Sequence, residues 1–360
     1  MTGFLQTAQF QPSFKTRFPA LKIILLLFVF NIALTAHAKD NDKDKAATEP
    51  LKLTNRDNQL VGKIWDVKNK AFINRQQLLH KALDANFVLL GETHDNIEHH
   101  RDHGWFINQI SQKKPDVAIA MEMVNKKQAD EINKNKNGNI DDVINILEQA
   151  KVGWEYDKYY RPVFSSILKN DLPLYPADLE RSTMMKVVRD GKDSTPNELK
   201  QLLNKTPLPK TQQEALKKEI EATHCGMIDA AMTKAMMRGQ RTRDAAMGNN
   251  LYKVSHAGGD KSKTRPVIMV SGSGHIRKDR GAPMYLKARD PDAKIVAIAW
   301  LEVHDDATDP EEYIKQWHSD TAPFDYVVFS PSANRPDPCE EMKKFMKHHN
   351  KKKHGKKDQK

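Results

Sequence analysis

Glutamate and histidine recur at four places in this chain, each directly after a short apolar run. Gly91-Glu92-Thr93-His94 follows Phe87–Leu90, Glu122 follows Val117–Met121, Ser271-Gly272-Ser273-Gly274-His275 follows Val267–Val270, and Leu301-Glu302-Val303-His304 follows Ile295–Trp300. Carboxylates and imidazoles are oxygen and nitrogen ligands for a transition metal, or acid and base groups for hydrolysis. No His-Glu-x-x-His signature accompanies them, so spacing alone assigns no metal. Three more histidines, His99, His100 and His103, lie just beyond His94. Asp95 followed by Glu98 resembles a capping box, which would start a helix there and turn its positive end to the same place. His99 and His103 would share one helix face, and His99 or His100 is a candidate to reach a ligand. Arg277, Lys278 and Arg280 follow His275 and offer cations for carboxylate or phosphate groups. The glycines ahead of His94 and His275 suit close approach of the backbone to a ligand or a turn with positive φ.

Bringing these groups together requires a scaffold that gathers distant strand ends. The apolar runs, with Leu172–Tyr175 and Tyr326–Phe329 added, mostly lack polar alternation, as expected of strands buried on both faces of a parallel sheet covered by helices. Helical periodicity fills the gaps over Arg75–Leu83, Ile97–Ile110, Asp141–Glu148 and an interrupted stretch from Thr211 to Val254. The expected fold is α/β, a largely parallel central sheet flanked by helices, with a helical insertion between the third and fourth apolar runs. In such sheets ligands bind in the crevice outside the strand carboxyl ends, where all four Glu/His segments fall. Four of the 14 methionines lie in Met227–Met237, where helical spacing suggests core filling.

The chain has 360 residues and a formal net charge of +11, which invites a nucleic-acid reading until the charge is located. Residues 1–38 hold Lys15, Arg17 and Lys22 and no acid, and the segment from Lys343 to Lys360 holds nine lysines and one acid. The stretch between them carries 46 basic and 46 acidic residues, so no basic nucleic-acid-binding face is implied. Residues 1–38 read as a signal peptide: a basic region, an apolar run from Ile23 to Thr35 too short to span a bilayer, and the small-residue exit Ala36-His37-Ala38. The chain is therefore expected to be exported, periplasmic or outer-membrane associated. With no cysteine near the cleavage site, a lipid anchor is not expected. An exported chain with two cysteines sits where disulfides persist, so Cys225 and Cys339 are expected to pair. Residues 39–58 read as a flexible charged leader, 59–342 as the folded domain, and 343–360 as a disordered Lys/His-rich tail containing His348, His349 and His354.

Phe87 through His100, Trp154 through Pro162, His224-Cys225-Gly226-Met227, Gln240 through Met247, Gly272 through Pro283, and Asp325-Tyr326-Val327-Val328-Phe329 followed by Asp337-Pro338-Cys339 form a set of stretches in a fixed order. With them the chain resembles the ChaN-type haem-binding family of exported bacterial proteins. The resemblance implies haem as cofactor, a role in haem or iron uptake or trafficking, and haem held at a dimer interface with a tyrosine on the iron and an outer-membrane receptor as partner. Tyr160 is the first choice for that tyrosine and Tyr159 the second; phenolate suits ferric iron. Glu92, His94, His99, His100, Tyr160, His275, Arg277 and Arg280 are the candidate cofactor-binding residues. The chain is also similar to the wider superfamily of Tiki/TraB-type proteins and erythromycin esterase through Gly91-Glu92-Thr93-His94, Glu122 and Gly272-Ser273-Gly274-His275. That likeness implies the competing possibility, a periplasmic hydrolase dependent on a divalent transition metal. In it His94, Glu122 and His275 would serve as ligands, or Glu92, His94, Glu122 and His275 as the catalytic set.

Overall fold

The computed structural model describes residues 49–135, 138–150, 153–257, 264–304, 307–319, 321–344 and 347. The expected signal peptide, the first part of the charged leader, and nearly all of the Lys/His-rich tail, including His348, His349 and His354, lie outside the described residues.

In chain order the elements are β1 (Leu53–Thr54), β2 (Ile64–Asp66), β3 (Ala71–Ile73), α1 (Arg75–Leu83), β4 (Phe87–Glu92), α2 (Ile97–Lys113), β5 (Ala118–Met121), α3 (Lys126–Lys134), α4 (Ile140–Glu148), α5 (Arg161–Lys169) and β6 (Leu174–Pro176). After them come α6 (Arg181–Asp190), α7 (Asn197–Lys205), α8 (Lys210–Thr223), α9 (Ala230–Ser255), β7 (Val267–Gly272), α10 (Ala282–Arg289), β8 (Ile295–Glu302), α11 (Pro310–Lys315), β9 (Tyr326–Ser330) and β10 (Ser332–Ala333). A turn of π-helix, Tyr156–Tyr160, leads directly into α5.

All six apolar runs form strands, β4 through β9. The main sheet has the order β3-β2-β9-β8-β4-β7-β5-β6. From β9 to β6 every pairing is parallel, and the two pairings of the short β2, with β9 and with β3, are antiparallel at one edge. Alternate side chains of the same strands enter two different cores. Val88, Leu90, Ile119, Met121, Ile268, Val270, Ile298 and Trp300 pack with Leu78 of α1, Phe106, Ile107 and Ile110 of α2, and Val163, Phe164 and Ile167 of α5. Phe87, Leu89, Ala118, Ala120, Val267, Met269, Ala297 and Ala299 pack with Met247, Leu251 and Val254 of α9 and Leu286 of α10. Both faces are therefore apolar, which is why the runs lack alternation.

Helices α6 to α9 form the insertion, placed between β6 and β7 as the sequence predicts. The C-terminal half of α9 covers the sheet, while its N-terminal half reaches outward to α8 through a small core of Leu208, Leu216, Ile220 and Met236. Met236 thus fills core, whereas Met232 is exposed. Gly248 lets α9 and α10 approach, since a Cβ there would lie 2.7 Å from Ala282 O and Leu286 N.

Two expectations need adjustment. The charged leader enters the fold before residue 58, because Leu53 and Thr54 pair with Ala333 and Ser332 and Leu53 is buried. The α2 cap is Asn96, whose side chain accepts from Glu98 N, and not Asp95. Asp95 is instead engaged by Arg335. Cys225 and Cys339 are joined in a disulfide that ties the α8–α9 turn to the C-terminal segment. Among the described residues no helix is long and apolar enough to cross a membrane.

Candidate functional site

Strands β4, β7 and β5 are consecutive neighbours in the sheet, and parallel registers align Glu92 with Gly272 and Met121 with Val270. The Glu92-Thr93-His94 segment, Glu122 and the Gly272–His275 loop must therefore emerge side by side. Hydrogen bonds link them: Gly272 N donates to Glu122 Oε2 at 2.8 Å, and Ser273 N donates to the Glu92 carbonyl at 3.0 Å. Gly91 has a packing role here rather than a ligand or positive-φ role. It lies within β4, and a Cβ on it would strike Ile276 Cδ1 at 2.6 Å. Positive φ among the described glycines occurs at Gly62, Gly153, Gly191 and Gly226.

Glu92 is the centre of one cluster. Its side chain is fully buried, and His94 Nδ1 and the Tyr160 hydroxyl lie 2.8 and 2.7 Å from Oε1. His100 Nε2 stands 2.8 Å and His103 Nδ1 3.5 Å from Oε2. Burial pushes the Glu92 carboxyl up, but the His100 charge and the bonds from His100, His103 and His94 hold it well below the usual carboxylate range. Tyr160 is driven well above the ordinary phenol value, first by burial and then by the Glu92 charge. The hydroxyl thus keeps its proton and donates it to Glu92, and with 1% exposure the phenol offers no oxygen to the cleft. Tyr159 is buried likewise, its oxygen accepting from Leu51 N at 3.4 Å. His94 differs from its neighbours: its side chain is 24% exposed and its ring meets Trp154 edge-on at 4.8 Å.

A second cluster centres on Glu122. Arg243 NH2 lies 2.6 Å from Glu122 Oε1 and 2.6 Å from Asp178 Oδ2, bridging β5 to the loop after β6. Burial would raise the Glu122 carboxyl, yet the His275, Arg243 and His94 charges and the Gly272 N–H pull it down to about 2. His275 is buried, with Nδ1 2.6 Å from Asp244 Oδ1 and Gln240 Nε2 beside it at 3.2 Å. Burial raises the Asp244 carboxyl despite the opposing His275 charge and bond. The two clusters meet: His94 Nε2 and His275 Nε2 flank Glu122 Oε1 at 4.0 and 3.7 Å. Each imidazole has Nδ1 on a buried carboxylate, an arrangement that sets the tautomer and the orientation of Nε2. Gly272 leaves the room this requires, since a Cβ there would lie 3.1 Å from His94 Nε2.

Of the residues singled out from sequence, Glu92, His94, His100, Tyr160, Glu122 and His275 do converge. Of these, only His94 is open to the cleft to this degree. His99 is buried away from it: Thr93 N donates to its Nδ1 at 2.9 Å, so Nε2 carries the proton toward Ser330 Oγ at 2.7 Å. Arg277 and Arg280 are buried as well. Arg277 is bound to Asp279 and the Trp317 carbonyl, and Arg280 to Glu219. The fourth strand end is used for a clamp, in which Glu302 and Asp95 both hold Arg335. Sequence reasoning missed Asp178, Gln240, Arg243 and Asp244. The signal for three of these was present, because Gln240, Arg243 and Asp244 fall at three- and four-residue spacing within one helix. Among the described residues no group of three or more His, Cys, Asp or Glu side chains is arranged to hold a metal ion.

A family model described as haem-binding uptake, Tiki superfamily, ChaN matches residues 78–286. The solved structure of cofacial haem binding to ChaN of Campylobacter jejuni is 22% identical, with a TM-score of 0.55, covering 74% of this chain and 95% of that one. An erythromycin esterase mutant in its open conformation is 14% identical, with a TM-score of 0.41, covering 72% of this chain and 94% of that one. No curated protein matches the sequence.

Proposed function

The chain belongs to the ChaN family of haem-binding uptake proteins in the Tiki superfamily, and from that premise we propose that it carries haem in the cleft at the ends of β4, β5 and β7. The observation that carries this is His94: a partly exposed imidazole whose Nδ1 is engaged by the buried Glu92 carboxylate and whose Nε2 lies 4.0 Å from Glu122. That is the form in which histidine binds a metal centre, with its partner raising ligand basicity. Trp154 supplies an aromatic wall beside it. Bound haem would supply an iron centre; the chain supplies the nitrogen and the wall. His94 takes the iron-binding role expected of Tyr160, whose oxygen is committed to Glu92.

Titrating haemin into the purified protein tests this. A saturable Soret change is expected, with affinity falling on the order of tenfold or more in His94→Ala, the effect of losing about 1.4 kcal/mol or more of a ligand bond. Absence of saturable binding would refute haem carriage. Loss of binding in Tyr160→Phe with His94→Ala unaffected would return the iron to the tyrosine.

Export to the periplasm, a role in haem or iron uptake, haem binding across a homodimer and an outer-membrane receptor belong to the same proposal. Mature protein beginning at Lys39 on N-terminal sequencing, and a haemin-dependent doubling of mass in light scattering, are the outcomes expected.

The paired imidazoles favour one second possibility, acid–base hydrolysis. Asp244 and Glu92 orient His275 and His94 toward one point beside Glu122, where one imidazole could take a proton and the other give it. Arg243, shared between Glu122 and Asp178, places a fixed positive charge beside that point. Ester cleavage lost in His94→Ala and in His275→Ala, and insensitive to chelators, would establish it.

A further inference from the structure

A groove of about 800 Å³ opens on a different side of α9, enclosed by that helix, α7 and the turn after α6. That volume is in the range of small-molecule sites. Lys234, Met237, Arg238 and Arg241 recur at three- and four-residue spacing on α9 and face it together, away from the Gln240, Arg243 and Asp244 set. Lys192 and Lys200 add two cations from the opposite wall, and Leu203 and Met237 provide apolar surface. Two carboxylates line the groove, and one of them, Asp190, is gripped by Arg189 through both oxygens at 2.6 and 2.9 Å.

Arg241 is the informative residue. Its NH2 makes a long bond of 3.3 Å to Thr206 O and its side chain meets the Tyr285 hydroxyl, both neutral oxygens. No carboxylate among the described residues pairs with it, so its charge at the groove wall would be met by an anionic oxygen entering there.

We propose that this groove is a ligand site for an organic anion, a carboxylate on an apolar body, distinct from the cleft at the strand ends. The carboxylate sits on Arg241 and Lys234 and the body lies along Leu203 and Met237.

Calorimetric titration of the purified protein with decanoate tests it, with decanol supplying the body without the charge and inorganic phosphate the charge without the body. Decanoate is expected to saturate one site, at least about tenfold more tightly than either control, in line with a charged hydrogen bond. Arg241→Met and the exposed Lys234→Ala should each weaken it several-fold, with circular dichroism unchanged in the lysine variant. His94→Ala, which weakens haemin, should leave decanoate untouched, so this site stands or falls separately from the haem cleft. No saturable decanoate binding, equal binding of decanol, wild-type affinity in both groove variants, or loss of binding in His94→Ala would each overturn the proposal.

Discussion

Glu92 shows how much one side chain organises at this site. Four ring-bearing neighbours surround one buried carboxylate, and each depends on its charge. Glu92→Gln keeps the shape and removes the charge, turning an amide NH2 toward groups that were donating. Breaking a buried pair this way is expected to cost about 3–5 kcal/mol, measurable as a shift in the urea midpoint. The histidines also give stability a pH dependence whose direction follows from their environments. Burial, before the neighbouring His103 and His100 charges, lowers His99 well below its ordinary value, and burial lowers His103 too. The unfolded chain takes up these protons below about pH 6.5 while the folded chain does not, so stability falls as acid is added. His94 acts oppositely: burial lowers it but the Glu122 charge and Glu92 bond raise it, so its contribution is full in acid and fades as pH rises through its folded value. Glu122 contributes fully above the unfolded carboxylate range and loses that contribution toward pH 2. Urea midpoints should drop between pH 7 and 5, and less steeply in His99→Gln; an unchanged slope in that variant would assign the acid sensitivity elsewhere.

At the scale of elements, the cleft is framed by an end cap and a covalent tie. Asn96 caps α2 while its amide donates to Glu302 at 2.7 Å and to the Pro331 carbonyl at 2.8 Å. Asn96→Ala should therefore cost more than the ~1 kcal/mol of a simple cap, because the buried Pro331 carbonyl loses its donor and Glu302 Oε1 loses one of its three. Beyond Arg335, four residues of chain, spanning at most about 14 Å, reach Cys339 and its bond to Cys225. The segment is thus held to the sheet rim at one end and to the helical insertion at the other. With a sequence separation of 114 between the two cysteines, replacing both by serine is expected to lower stability by about 2–5 kcal/mol. Alkylation without reductant should leave the mass of the wild-type chain unchanged, and two added alkyl groups would show the bond absent. Gly272→Ala belongs to this scale as well. Its Cβ would press toward His94 Nε2, so haemin affinity should fall while the fold persists.

For the molecule as a whole, the architecture was readable from the chain in some detail. The run Phe87–Leu90 and its five counterparts announce strands covered on both faces, and Arg75–Leu83 is found as α1 with the same ends. Polar residues placed just after those runs pointed to the strand carboxyl ends, and there Glu92, His94, Glu122 and His275 meet. These features are legible because apolar period and motif position are local properties of the chain. The sorting of those polar groups into exposed and buried could not be read that way. His94, His99 and His100 lie within seven residues, yet one opens to the cleft, one braces Ser330 and one is sealed against Glu92. Arg277 and Arg280 look like free loop cations in sequence and prove to be buried in ion pairs. Asp244 and Arg243 join the site only because α9 crosses the sheet where β5 and β7 end. Residue type and spacing along the chain thus specify the strands, the helices and the stock of reactive groups. Which of those groups face a ligand depends on how they pair in three dimensions, with distant partners such as Ser330 for His99 and Arg243 for Glu122, and such contacts exist only once the sheet has assembled.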